Sequence, residues 1–521
     1  MKTIPRALVA VAGIAVTATL LSGCLSATSP TESTTASAAA SHTPAADGAP
    51  EGFEEFYAQT LDWEACTGAD DGVYDCTTVT APLDWSDPSA GTIELALIRR
   101  AATDGDAIGS LLTNPGGPGA SGYDMIADSA SYAVGTALSD VYDVIGFDPR
   151  GVGRSSAVSC LDATDMDAYL FDIPADARDS EGWTAELTER NEEFAAACEA
   201  NSDGILAYIT TDNAARDMDL LRAVLGDEKL NYLGYSYGTF LGATYAKLFP
   251  ERVGRLVLDG AIDPSISGLE VGTTQAIGFE SALRAYMADC LGDSDCPFGG
   301  TVDDAMADLG TLLASVDAQP LAASDGRMLG ADALLIGIIA ALYSEDSWPY
   351  LTQALSDALS GDPDVAFLLA DFYYGRDTDG TYEDNSTEAF DAYNCMDYPL
   401  DTSQEDEDAA DALIAEQAPT IAPYWSGVDV CESWPFEATG VREEITAEGA
   451  APIVVVGTTN DPATPYEWSV SLADQLSSGV LVTREGEGHT GYNKGNACVD
   501  AAVEDYLVDG TVPEDGLTCS E

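Results

Sequence analysis

Residues Tyr232 to Ala246 read YLGYSYGTFLGATYA: an apolar run, a serine with a glycine two residues to either side, then a helical pattern. A strand that turns straight into a helix brings two backbones close together, so the positions flanking the turn must be small. Gly234-Tyr235-Ser236-Tyr237-Gly238 has that form. Such a turn lifts Ser236 clear of the sheet. It also leaves the Tyr237 N–H beside the serine, at a helix N-terminus that supplies no intrahelical acceptor. A glycine-rich turn carrying an inert serine has the same letters, so the decision falls to the rest of the chain.

Outward from this stretch, short apolar, β-branched runs alternate with helical patterns. Strands are expected at Thr92–Arg100, Gly109–Pro115, Tyr142–Asp148, Leu230–Ser236, Arg255–Gly260, Pro452–Asp461 and Gly479–His489. Continuous runs such as Val454-Val455-Val456 suit strands covered on both faces, as in a parallel sheet between helical layers. NAARDMDLLRAVLG, ending at Gly226, predicts an amphipathic helix with a glycine C-cap. Between Asp263 and Ala438 the pattern becomes helical, acidic and loop-rich, with no strand series. The expected fold class is α/β: a mostly parallel sheet with helices on both faces and an inserted, mainly helical cap. The core then spans 53–262 and 439–521, and the cap 263–438.

A serine hydroxyl is a poor nucleophile at neutral pH and needs an adjacent base, most often histidine. The chain has two histidines, and His42 lies in a Ser/Thr/Ala/Pro segment unsuited to holding a geometry. His489, in EGEGHTGY just after an expected strand, is the candidate base. The orienting carboxylate is expected before it, in the order Ser, Asp, His. Asp461 closes the preceding strand in PIVVVGTTNDPATP. Asp148 and Asp259 also end strands, but a turn and the join to the cap account for them. Asp500 is close to His489 in sequence but falls on a helical stretch. In TNPGGPGASG, Thr113 to Gly122, glycines let backbone N–H groups turn toward a ligand. A phosphate-binding reading lacks both the following Lys-Ser/Thr and the GxGxxG spacing. Gly117 and Tyr237 N–H groups are the expected oxyanion hole, since Pro118 has no N–H to give.

Composition narrows the class further. Ninety Asp+Glu against 20 Lys+Arg give a net charge of −70, which excludes nucleic acid as a partner and describes a solvated, self-repelling surface. Lys2 and Arg6, then apolar Ala7–Leu21, then LSGC, read as an export signal over residues 1–23, too short to span a bilayer. LSGC resembles the bacterial lipobox, which makes Cys24 the candidate lipidation site. Residues 24–52 read as a flexible tether. Setting Cys24 aside leaves ten of the 11 cysteines, in a chain addressed to an oxidising compartment. Pairing neighbours in order gives Cys66–Cys76, Cys160–Cys198, Cys290–Cys296, Cys395–Cys431 and Cys498–Cys519. With no CxxC or Cys/His cluster, neither metal nor cofactor is expected.

NPGGPGASG, GFDPRGVGRSS, LGYSYGT, LDGAIDP, NCMDYP, NDPATP and GEGHT then occur in a family order. From about residue 55 to the C-terminus the chain resembles the secreted tripeptidyl-aminopeptidase-like α/β-hydrolases of actinobacteria. These are relatives of prolyl aminopeptidases and include mycobacterial lipoprotein serine proteases. The resemblance implies an α/β-hydrolase fold, a triad of Ser236, Asp461 and His489, and removal of tripeptide-like pieces from peptide or protein N-termini. Pro115 stands where prolyl aminopeptidases usually show histidine, a departure shared with the tripeptidyl branch. Asp148 and Arg150 read as a structural corner. Aminopeptidases of this kind hold the substrate ammonium with cap carboxylates, for which Glu270 and Asp397 are the candidates. A carboxylesterase or lipase on the same triad, and a solute-binding lipoprotein, are the competing readings. The implied location is the outer face of the bacterial membrane, touched only through the N-terminal lipid, with a shed form as an alternative and a monomer as the expected state.

Overall fold

The apolar runs become strands of one sheet. The computed structural model describes residues 48–66, 73–425 and 427–520. Its strands are β1 (Glu64–Ala65), β2 (Tyr74–Asp84), β3 (Asp87–Arg100), β4 (Ser110–Asn114), β5 (Asp143–Phe147) and β6 (Leu230–Tyr235). β7 (Val253–Asp259), β8 (Leu321–Ala322), β9 (Met328–Leu329), β10 (Ile453–Asn460), β11 (Gly479–Glu487) and β12 (Leu517–Cys519) follow. The main sheet runs β1-β2-β3-β5-β4-β6-β7-β10-β11-β12. Pairs are antiparallel from β1 to β5 and parallel from β5 through β12. All seven expected strands are present within a few residues of their expected ends. β1, β2 and β12 were not among them.

Side chains alternate between two cores, as the period-2 geometry of a strand requires. Leu112, Tyr232, Leu256, Leu258, Ile453 and Val455 enter one cluster. Leu111, Leu233, Val257, Val454 and Val456 enter the cluster on the opposite face. The valine run is therefore buried on both faces, each side chain contributing about 1.5–3 kcal/mol by its removal from water.

β7 pairs with β10 in parallel, Leu256 opposite Ile453 and Leu258 opposite Val455, although Gly260 to Pro452 separates them in the chain. That segment is a helical insertion with its own core, which includes Leu283, Leu309, Leu313, Ile338, Leu351 and Phe367. Its only strand pair among the described residues is the short β8–β9 hairpin. The insertion's two ends are joined. Arg442 donates from Nε to Ile266 O (3.1 Å) and from Nη2 to Asp263 O (2.8 Å), and Glu443 N–H donates to Pro264 O at 3.1 Å.

The ten cysteines pair in sequence order into five disulfides. The signal segment, Cys24, His42 and the tether as far as residue 47 lie outside the described residues. Among the described residues no helix is long and apolar enough to cross a membrane. The DPRGVGRS corner is built from two separate buried networks. Arg150 donates from Nε and Nη2 to Asp217, each at 2.7 Å, while Asp148 accepts from Ser121 Oγ, Tyr123 N and Arg154 N.

Candidate active site

Ser236 follows β6 and precedes the helix Tyr237–Leu248, at φ +55° and ψ −125°. A non-glycine residue held there stores about 1–3 kcal/mol of backbone strain, so its surroundings must over-determine it. They do. Ser236 N–H donates to Asp259 O at 2.9 Å, and Ser236 O accepts from Thr239 N (2.8 Å) and Thr239 Oγ1 (2.6 Å). The flanking glycines are dictated by crowding. A Cβ at position 234 would lie 2.5 Å from Gly238 O, and one at 238 would lie 2.9 Å from Asn114 O.

Asp461 lies just past β10, buried. Its carboxylate accepts from the N–H groups of Ala463 (3.0 Å), Thr464 (2.9 Å) and Thr490 (3.0 Å). Both its oxygens also sit 2.9 Å from His489 Nδ1. Thr464 Oγ1 stands 3.3 Å from the same nitrogen. A carboxylate so placed keeps the proton on Nδ1 and leaves Nε2 as the basic nitrogen. Nε2 is shielded from solvent and makes no hydrogen bond to any described protein group. Serine–histidine hydrogen bonds are often long in unliganded enzymes and tighten around substrate.

The join after β7 brings the serine and histidine loops together. Asp259 O holds Ser236, and the next residue, Gly260 (φ +69°), is so close to the histidine that a Cβ there would lie 3.1 Å from His489 Cε1. The loop after β4 closes against the serine from the other side. A Cβ at position 116 would lie 2.6 Å from Tyr235 O, 2.8 Å from Ser236 Cβ and 3.0 Å from Tyr237 N, so only glycine lets this loop lie on the turn. Gly117 comes next in the chain, at φ +104°.

The carboxyl-terminal part of the chain, residues 418–519, matches the family model described as TAP-like protein. The serine protease Hip1 of Mycobacterium tuberculosis is 37% identical over 485 residues, covering 88% of this chain and 91% of its own. The carboxylesterase B of M. tuberculosis is 39% identical over 452 residues, covering 85% and 86%. The tripeptidyl aminopeptidase of Streptomyces coelicolor is 30% identical over 473 residues, covering 88% and 86%. The chain belongs to the TAP-like α/β-hydrolases.

In this TAP-like hydrolase the two candidate amine-binding acids are placed differently. Asp397 is buried at the end of the helix Ser386–Asp397 and accepts from Thr211 N (3.0 Å) and Thr211 Oγ1 (2.6 Å). The Thr211 hydroxyl in turn bonds the Tyr237 hydroxyl. Burial pushes the Asp397 carboxyl up to about 6, with Thr211 pulling it back. Asp397 thus supports the helix that follows Ser236 through Thr211 and Tyr237. Glu270, in the first turn of the helix Gly268–Cys290, is exposed.

The insertion grips the site loops through contacts that the sequence reading missed. His489 N–H donates to Tyr343 O at 2.9 Å, and Gln275 Nε2 donates to Ala463 O at 2.8 Å. Ser281 Oγ donates to Asn460 Oδ1 at 2.7 Å. A Cβ on Gly119 would lie 2.5 Å from Ser386 O. Thr464 had a local signal, its place within NDPATP. Tyr343 had none, because a backbone carbonyl leaves no mark in the side-chain pattern.

Proposed function

We propose that this chain is an exported serine exopeptidase that removes short, tripeptide-like pieces from peptide or protein N-termini. Ser236 Oγ attacks the scissile carbonyl carbon while His489 Nε2 takes the hydroxyl proton. Asp461 stabilises the imidazolium, and the N–H groups of Gly117 and Tyr237 receive the negative charge that develops on the carbonyl oxygen. Collapse transfers the proton from His489 to the leaving amine and leaves an acyl group on Ser236. Water then attacks that ester with His489 as base, freeing the short peptide and restoring the serine.

The observation that carries this reading is the Asp461–His489 pair at 2.9 Å, beside a serine held at φ +55°. The peptidase names of two relatives support a peptide substrate. A buried ammonium is costly without a partner, so an exopeptidase must supply one to the substrate's N-terminus. Glu270, exposed, and Asp397, buried, are the candidates. The five disulfides support export, and Cys24 is the proposed lipid attachment at the outer membrane face.

Tripeptide and dipeptide anilides with free and with blocked N-termini test the specificity. Turnover is expected on the free tripeptide and to drop at least tenfold on blocking. Equal turnover of blocked and free substrates contradicts the exopeptidase. The name of the relative that is 39% identical favours a second reading, a carboxylesterase on the same triad. That reading expects short acyl esters to be turned over in preference to every anilide.

A further inference from the structure

Asp259, the last residue of β7, is fully buried, and its two ends hold two different loops. Its backbone carbonyl accepts the Ser236 N–H at 2.9 Å. Its carboxylate accepts from Gly491 N–H (2.8 Å to Oδ1) and Tyr492 N–H (2.8 Å to Oδ2), two and three positions beyond His489. Taking a carboxylate out of water costs several kcal/mol unless its oxygens are satisfied, and here backbone amides do so. Burial pushes the Asp259 carboxyl up to about 6, while those amides, His489 and Lys494 pull it back. The loop it holds is not relaxed, since Thr490 (φ +70°) and Asn493 (φ +60°) both lie in the left-handed region. Asp461 fixes the front of this loop through Thr490 N–H, and Asp259 fixes its back.

We propose that Asp259 is a positioning residue of the reaction centre, setting the backbone of Ser236 through its carbonyl and the His489 loop through its carboxylate. This rests on the serine-hydrolase reading above. Without the carboxylate the histidine loop relaxes, and a displacement of about 1 Å costs on the order of 100-fold in turnover. The groups facing Asp259 are His489 and Lys494 from the loop after β11 and Tyr235 from β6, and Asp461 faces His489 from the other side.

Asp259→Asn and Asp259→Ser, made in the full chain, test the assignment. The readouts are the rate at which a fluorophosphonate labels Ser236 and the split between kcat and KM. Expected are folded variants with labelling and kcat about 10- to 100-fold lower and KM little changed. A folded variant with wild-type labelling and wild-type kcat overturns the proposal. So does failure of both variants to fold, which reduces Asp259 to a structural role. Wild-type protein that takes no label contradicts the serine-hydrolase reading itself, a result separate from either.

Discussion

His489 donates its backbone N–H to Tyr343 O at 2.9 Å, and the Tyr343 ring stands edge-on to the imidazole at 5.2 Å between centroids. Tyr343 caps the helix Ala331–Leu342, so the insertion holds the histidine that the core strand β11 delivers. Tyr343→Ala keeps the carbonyl but removes the ring that packs on the imidazole. It is expected to lower kcat about tenfold or more, with Tyr343→Phe close to wild type. Steady-state kinetics on both variants check this, and equal rates in Tyr343→Ala and wild type would contradict it.

Asp461→Asn leaves a side chain of the same shape but puts an amide where His489 Nδ1–H needs an acceptor. The wrong tautomer is then favoured, and turnover should fall by about 10³-fold or more with little change in KM. Kinetics and a melting curve separate this loss from unfolding. A loss under tenfold would remove Asp461 from its assigned place.

Gly116→Ala adds one methyl group where Tyr235 O and Ser236 Cβ lie 2.6 and 2.8 Å from the Cβ position, at φ +101°. Backbone on both sides cannot yield without moving the turn that presents the serine. The variant should lose about 1–3 kcal/mol of stability and most of its activity. A fully active Gly116→Ala enzyme would show that the loop does not lie on the turn.

Burial pushes the carboxyls of Asp259 and Asp397 up to about 6 and that of Glu388 up to about 7. Unfolded, such groups titrate at about 3.9 and about 4.3. The folded chain therefore keeps protons that the unfolded chain has already lost. Their contribution to stability is fully present below about pH 4, falls as pH rises through the window to about 7, and is flat above it. Each pH unit between the two titrations is worth about 1.4 kcal/mol per group. The melting temperature should therefore drop between pH 5 and pH 8, and scanning calorimetry across that interval reads the sign. A rise would contradict it.

Legibility in the sequence followed whether a residue's role is local. β6, β7, β10 and β11 announced themselves as apolar runs bounded by turn residues. β1 and β12 are too short for any period to register, and β2 carries Pro82 and polar Thr77, Thr78 and Thr80 among its apolar positions. The triad candidates were legible because two histidines leave one outside the tether and the loop order fixes the acid. Asp259 was visible as a strand-ending acid, yet its work on the amides of Gly491 and Tyr492 spans more than 230 residues of chain. Asp397 was one candidate among ninety acidic residues, and only the fold reveals that it accepts from Thr211.

Ser236 is the residue that His489 activates in the proposed reaction. Intact-mass and peptide mapping after treatment with a fluorophosphonate measures this directly. A single adduct on Ser236 is predicted, absent in Ser236→Ala and formed at least about 100-fold more slowly in His489→Ala. An adduct on another residue, or a His489→Ala enzyme labelled at the wild-type rate, would contradict it.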